Sequence, residues 1–166
     1  AIVYAKPYYQ VAISPDGLAD TYAALFGDPW LNIKPHIPGS LRQPDFRLPF
    51  LPGKQWAYTG GPHTGWGVGS PFAALDFAPP SVLKGCAPSN EWVVAVADGI
   101  IARSETGIVV LDLDMDGDER TGWTVFYMHV GTDGRIPYGT RIESGDAIGH
   151  PSCERGVSTG THIHIA

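Results

Sequence analysis

The chain carries six histidines among 166 residues, and their placement, with one aspartate, is where chemistry is to be sought. His162 and His164 form an H-x-H pair inside Thr161–Ile165 (THIHI), a strand-like segment. Side chains alternate across a strand, so residues two apart share a face and stand about 6–7 Å apart along it. One imidazole of such a pair can bind a metal while the other reaches a group held beside it. The spacing alone also fits a chance pair on a solvent face. His63 lies in TGGPHTGWGVGSP, crowded by Gly60, Gly61, Gly65, Gly67 and Gly69. That composition reads as an irregular loop able to aim a side chain inward. Asp76 follows in FAALDFAPP, among Phe72, Leu75 and Phe77. A carboxylate in apolar surroundings is costly unless it is paired, caps a helix or meets a cation. His129 comes near the end of WTVFYMHV, and strict alternation would point it the same way as Trp123, Val125 and Tyr127.

Together these residues say more than each does alone. His63, Asp76 and His164 offer two nitrogens and one oxygen, three ligands that leave a fourth position open, as catalytic zinc requires. His129 and His162 remain to handle protons. Other chemistries find no support: there is no HExxH helix, no GxSxG elbow and no CxxC pair.

The elements that must position these residues read as β from Trp56 onward. Trp92–Ala97 (WVVAVA) is an apolar run of strand length bounded by Asp98-Gly99, a hairpin-turn dipeptide. Ile100–Arg103, Ile108–Leu113, Trp123–Val130, Asp146–His150 and Thr161–Ile165 are further strands, separated by Gly, Asp and Pro turns. The class expected is mainly β, an antiparallel sheet or sandwich. Residues 1–55 differ, with eight prolines from Pro7 to Pro52 and one short helix expected from Asp16 to about Phe26. They read as an arm wrapping a domain over 56–166.

Net charge is -6 and no basic cluster stands out, which argues against a nucleic-acid partner. No apolar run approaches the roughly 18 residues of a membrane helix. The chain opens at Ala1 rather than Met, as a mature or trimmed form would. Cys86 and Cys153 permit one disulfide, fitting an exported protein, or two buried thiols. The run Asp112, Asp114, Asp116, Asp118 with Gly117 resembles the start of a calcium loop, yet Trp123 stands where its distal glutamate would be. An acidic hairpin tip is the simpler reading, with Ca2+ as a secondary one. Trp66 is a candidate to border a cleft. His36 and His150 have no assigned partner.

The sequence resembles the lysostaphin-type (LytM-like) zinc endopeptidases, and in particular their β-lytic, staphylolysin-like branch. CERGVSTGTHIHIA looks like the family's C-x-G-x-STG-x-H-x-H segment, YMHV like its strand with an isolated histidine, and GTRIESGDAIG like the turn and strand that come before. His63 and Asp76 are 76 − 63 = 13 positions apart, resembling the wide spacing of that branch. The likeness covers roughly Phe50 to Ala166. It implies zinc on His63, Asp76 and His164, catalytic roles for His129 and His162, and a β-rich sheet with the metal in a groove. It further implies peptide bonds of peptidoglycan as substrate and an extracellular or cell-envelope location. The chain stops directly after HIHI, where relatives usually continue, so either a truncated sequence or a processed protein is expected, and a missing edge strand could weaken the groove wall.

Overall fold

The computed structural model describes residues 23–25, 42, 44–69, 71–81 and 83–166. The chain divides into two units, Ala1–Arg42 and Gln43–Ala166, and the second holds every strand described below. The helix expected over residues 16–26 lies outside the described residues, except that 23–25 are helical. His36 lies outside them as well.

The strands are β1 (Ala57–His63), β2 (Ala74–Ala78), β3 (Val93–Val94), β4 (Gly99–Glu105), β5 (Gly107–Asp112), β6 (Thr124–Val130), β7 (Arg141–Ile142), β8 (Ala147–Gly149) and β9 (Ile163–Ile165). Seven join one sheet in the order β1-β2-β9-β6-β5-β4-β7, while β3 and β8 form a separate ribbon. All pairings are antiparallel, as the alternating pattern implied.

The core lies on one face of the large sheet. Phe77, Ile163, Val125, Tyr127, Val109, Leu111 and Ile101 come from the sheet and meet Val93 and Ile148 from the ribbon. Burying such branched and aromatic side chains is the main stabilising term, and truncating a fully enclosed one costs about 2–5 kcal/mol. Tyr127 is completely buried, and its hydroxyl accepts the Val96 N–H at 2.9 Å. The apolar core thus leaves that polar tip satisfied. Its neighbours in sequence, Phe126 and Met128, take the opposite face, where the histidines singled out from the sequence gather.

Several elements differ from their expected form. Only Val93 and Val94 of WVVAVA are strand, because Ala95 leaves the ladder to pair with the 143–146 turn through Ala95 N–Asp146 O and Gly145 N–Ala95 O, both 2.9 Å. Asp98-Gly99 closes no hairpin. β3 pairs with β8 rather than β4, and the Asp98 carboxylate accepts Ser144 N–H at 2.7 Å. β1 and β2 were not expected as strands, since glycines and a register shift break up the first. His63 is consequently the last residue of β1 rather than part of a free loop. Cys86 and Cys153 are joined in a disulfide, with Cα atoms 5.6 Å apart.

Candidate metal centre and its groove

Asp76, His164 and Met128 sit side by side across β2, β9 and β6, each the register partner of the next. Their shared face looks away from the core. His63, paired with Ala74, comes in diagonally from β1. The His63 Nε2 lies 2.8 Å from Asp76 Oδ2, and His164 Nδ1 lies 3.2 Å from Asp76 Oδ1. The three residues place one ligating atom each within 4.8 Å of one another, a group that could hold a metal ion. Gly60 leaves space for the carboxylate, since a Cβ there would lie 2.8 Å from Asp76 Oδ2.

Hydrogen bonding on the far side of each ring decides what faces inward. His164 Nε2 is 2.8 Å from the Gly65 carbonyl and His63 Nδ1 is 3.1 Å from the Thr64 carbonyl. A carbonyl only accepts, so each of those nitrogens carries the ring proton. In neutral rings this leaves the lone pairs of His63 Nε2 and His164 Nδ1 directed at a carboxylate. Asp76 Oδ1 is itself buried without a hydrogen-bond partner among the described residues. Lone pairs facing lone pairs around a buried oxygen is an unstable arrangement that a cation relieves. Burial pushes the His164 pKa below its ordinary value, which favours the neutral, ligating ring.

His162 and His129 complete the constellation. His162 Nε2 is 3.9 Å from Asp76 Oδ1, and its Nδ1 is 2.8 Å from the Gly160 carbonyl. His129 Nδ1 is 3.1 Å from the Glu154 carbonyl, and the His129 and His162 rings lie 4.4 Å apart between centroids. Burial first, and the neighbouring His162 second, lower the His129 pKa. Both rings are thus arranged to keep Nδ1–H on a backbone carbonyl and to leave Nε2 for the groove.

His129 departs from the orientation that strict alternation implies. It does not share the core face of Val125 and Tyr127. Its φ is +68°, and the β5–β6 register jumps from Gly107–Val130 to Ile108–Met128, skipping His129. This is a bulge, which turns one extra side chain out of the alternation. Met128 and His129 therefore both line a groove of about 550 Å³, together with His63, Asp76, His162 and His164.

All five residues singled out from the sequence meet in that groove. Trp66 borders it as well, edge-on to Phe126 at 5.4 Å, with the Arg155 guanidinium 5.8 Å from its ring centre. His150 lies elsewhere, 3.9 Å from the Trp92 ring centre and bonded to the Glu91 carbonyl. The carbonyls of Thr64, Gly65, Glu154 and Gly160 were missed, and no side-chain pattern could have revealed them.

In structure the chain is similar to the M23 metalloprotease pseudoalterin from the deep sea. The two are 26% identical, and the match covers 75% of this chain and 70% of that one at a TM-score of 0.62. Looser matches are LytU, 23% identical over 76% of this chain and 78% of that one at 0.43, and the antimicrobial peptidase lysostaphin from Staphylococcus simulans, 19% identical at 0.44. The lysostaphin match covers 75% of this chain and 47% of that one. No family model matches the sequence, and no curated protein matches it. This chain has the lysostaphin-type, M23 peptidase fold.

Proposed function

We propose that the protein is a zinc-dependent endopeptidase, with His63, Asp76 and His164 as metal ligands and His129 and His162 as catalytic residues. The observation that carries this reading is the deficit at the centre of the groove: two imidazole lone pairs converge on a half-buried carboxylate whose buried Oδ1 has no hydrogen-bond partner among the described residues. Two nitrogens and one oxygen suit zinc better than calcium or magnesium, which prefer oxygen alone. The likeness to pseudoalterin, named as a metalloprotease, supports the class.

When bound, zinc supplies a Lewis acid that brings the pKa of a coordinated water towards about 7 and polarises a carbonyl. The protein's own groups then divide the proton work. His162 holds its Nδ1–H on Gly160, so Nε2 accepts the proton of the attacking water. His129, with its Nδ1–H fixed the same way on Glu154, has Nε2 free to take on the proton that His162 has accepted, their rings 4.4 Å apart, and to pass it to the leaving amine. The groove is open enough to admit an extended peptide, and Trp66 borders it.

The substrate class proposed is the peptide cross-links of peptidoglycan, on the sequence resemblance to lysostaphin-type enzymes. A disulfide is rare in reducing compartments, which supports an extracellular or cell-envelope location. Among the described residues no helix is long and apolar enough to cross a membrane. The division into an arm over 1–55 and a catalytic domain over 56–166 belongs to the same proposal.

Metal analysis with a cleavage assay on pentaglycine and peptidoglycan peptides tests the reading. We expect about one zinc per chain and cleavage, with His129→Ala abolishing turnover while keeping the zinc. Zinc without cleavage would instead mark a peptidase-like scaffold that binds cell wall or a partner. Turnover retained by His129→Ala would remove that residue's role, and a chain that binds no zinc would overturn the whole reading.

A further inference from the structure

The left-handed backbone of His129 needs something to hold it, because a non-glycine residue avoids that conformation unless its surroundings impose it. Two neighbours do so. Ser152 donates twice to the His129 carbonyl, from its N–H at 2.7 Å and its Oγ at 2.9 Å. The Glu154 carbonyl takes the His129 Nδ1–H, and Glu154 N–H returns to Ser152 Oγ at 3.0 Å.

That carbonyl is itself in an awkward place. Arg155 and Gly156, which follow it, have φ of +64° and +67°, so the chain leaves Glu154 through two successive left-handed residues. What fixes it is its own side chain. Glu154 Oε1 accepts Thr132 N–H and Oε2 accepts Thr132 Oγ1–H, both at 2.7 Å, with Arg135 Nη1 3.7 Å from Oε2. Gly107 permits the approach, since a Cβ there would lie 2.5 Å from the Glu154 carbonyl oxygen.

We infer that Glu154 is a positioning residue: its carboxylate, clamped on Thr132, sets the carbonyl that holds His129 with Nδ1 protonated and Nε2 facing the groove. The consequence for turnover rests on the function proposed above. The consequence for the ring does not.

The test therefore reads both. In Glu154→Ala, kcat falls about tenfold with KM within about twofold and zinc content unchanged, the cost of a misoriented proton carrier. Glu154→Gln can still accept the Thr132 N–H and donate to Oγ1, and restores kcat to within about twofold of the parent. Nitrogen-15 spectra of the metal-free chain show His129 as a single tautomer protonated at Nδ1 in the parent and as a mixture in Glu154→Ala. An unchanged ring signal in Glu154→Ala overturns the inference, whether or not kcat falls. Should that variant not fold, Thr132→Val removes one clamp donor, and an unchanged ring there overturns it equally. If the parent cleaves no peptide, the proposed function fails and the ring signal alone decides the positioning role.

Discussion

Among the described residues two regions bring acidic or imidazole groups close enough to hold a cation: His63, Asp76 and His164 in the groove, and Asp112, Asp114 and Asp116 at the end of β5 and in the loop that leads to β6. They differ in what is left over once hydrogen bonds are assigned. In the loop, Asp112 accepts Asp114 N–H at 3.2 Å and Gly117 N–H at 2.7 Å, and Asp116 accepts Asp118 N–H at 2.7 Å and Thr121 Oγ1–H at 2.9 Å. Asp118, outside the trio, is held down to about pKa 2 by Arg120. Asp112 and Asp116 thus cap their own turn. In the groove the ring protons point outward to carbonyls and the inward oxygen has no partner among the described residues. Closeness is common to both regions; imidazole lone pairs turned toward the carboxylate distinguish the groove.

The largest effect that would break the comparison comes from the ligands. Asp76→Ala or His164→Ala should weaken zinc binding by more than about 100-fold, beyond what loss of an outer partner costs. Calorimetric titration of the purified variants measures this, and near-parental affinity would equate the groove with the loop. A smaller loss is expected from Gly60→Ala, whose new Cβ must push Asp76 Oδ2 aside. Zinc affinity should fall about tenfold with the fold retained, and unchanged affinity would mean that the carboxylate position is not confined.

The smallest effect sharpens the loop side. Burial first, then the Asp114 side chain, push the Asp112 pKa up to about 6 from an ordinary 3.8. The folded chain thus binds a proton that the unfolded chain has already released, so stability falls as pH rises from about 4 to about 6 and is level above. Asp112→Asn should flatten that slope in urea unfolding curves. Millimolar calcium should move the thermal midpoint by less than about 1 °C, whereas zinc binding to the groove should raise it by several degrees. A calcium shift as large as that of zinc would restore the cation reading of the loop.

How far the sequence reveals the site depends on whether side chains or backbone do the work. The H-x-H pair was legible because strand periodicity alone puts His162 and His164 on one face. The carboxylate of Asp76 was conspicuous among hydrophobes. The role of His129 could be suspected but its direction could not, because a bulge is written in φ rather than in residue type. Of the strands, β5 and β6 were plain from their β-branched and aromatic runs. β1 was hidden by its glycines, which serve close approach rather than strand propensity. The Asp98-Gly99 dipeptide misled because its aspartate caps a distant turn rather than closing a hairpin.

β9 is the latest strand in chain order, yet it lies between β2 and β6 in the middle of the large sheet. Without it the sheet parts into two pieces, with His63 and Asp76 on one and His129 on the other. Such a topology brings the two halves of the proposed site together only when β9 is in place. The ion of the proposed function, by linking β1, β2 and β9, would act as a latch that holds β9 between its neighbours.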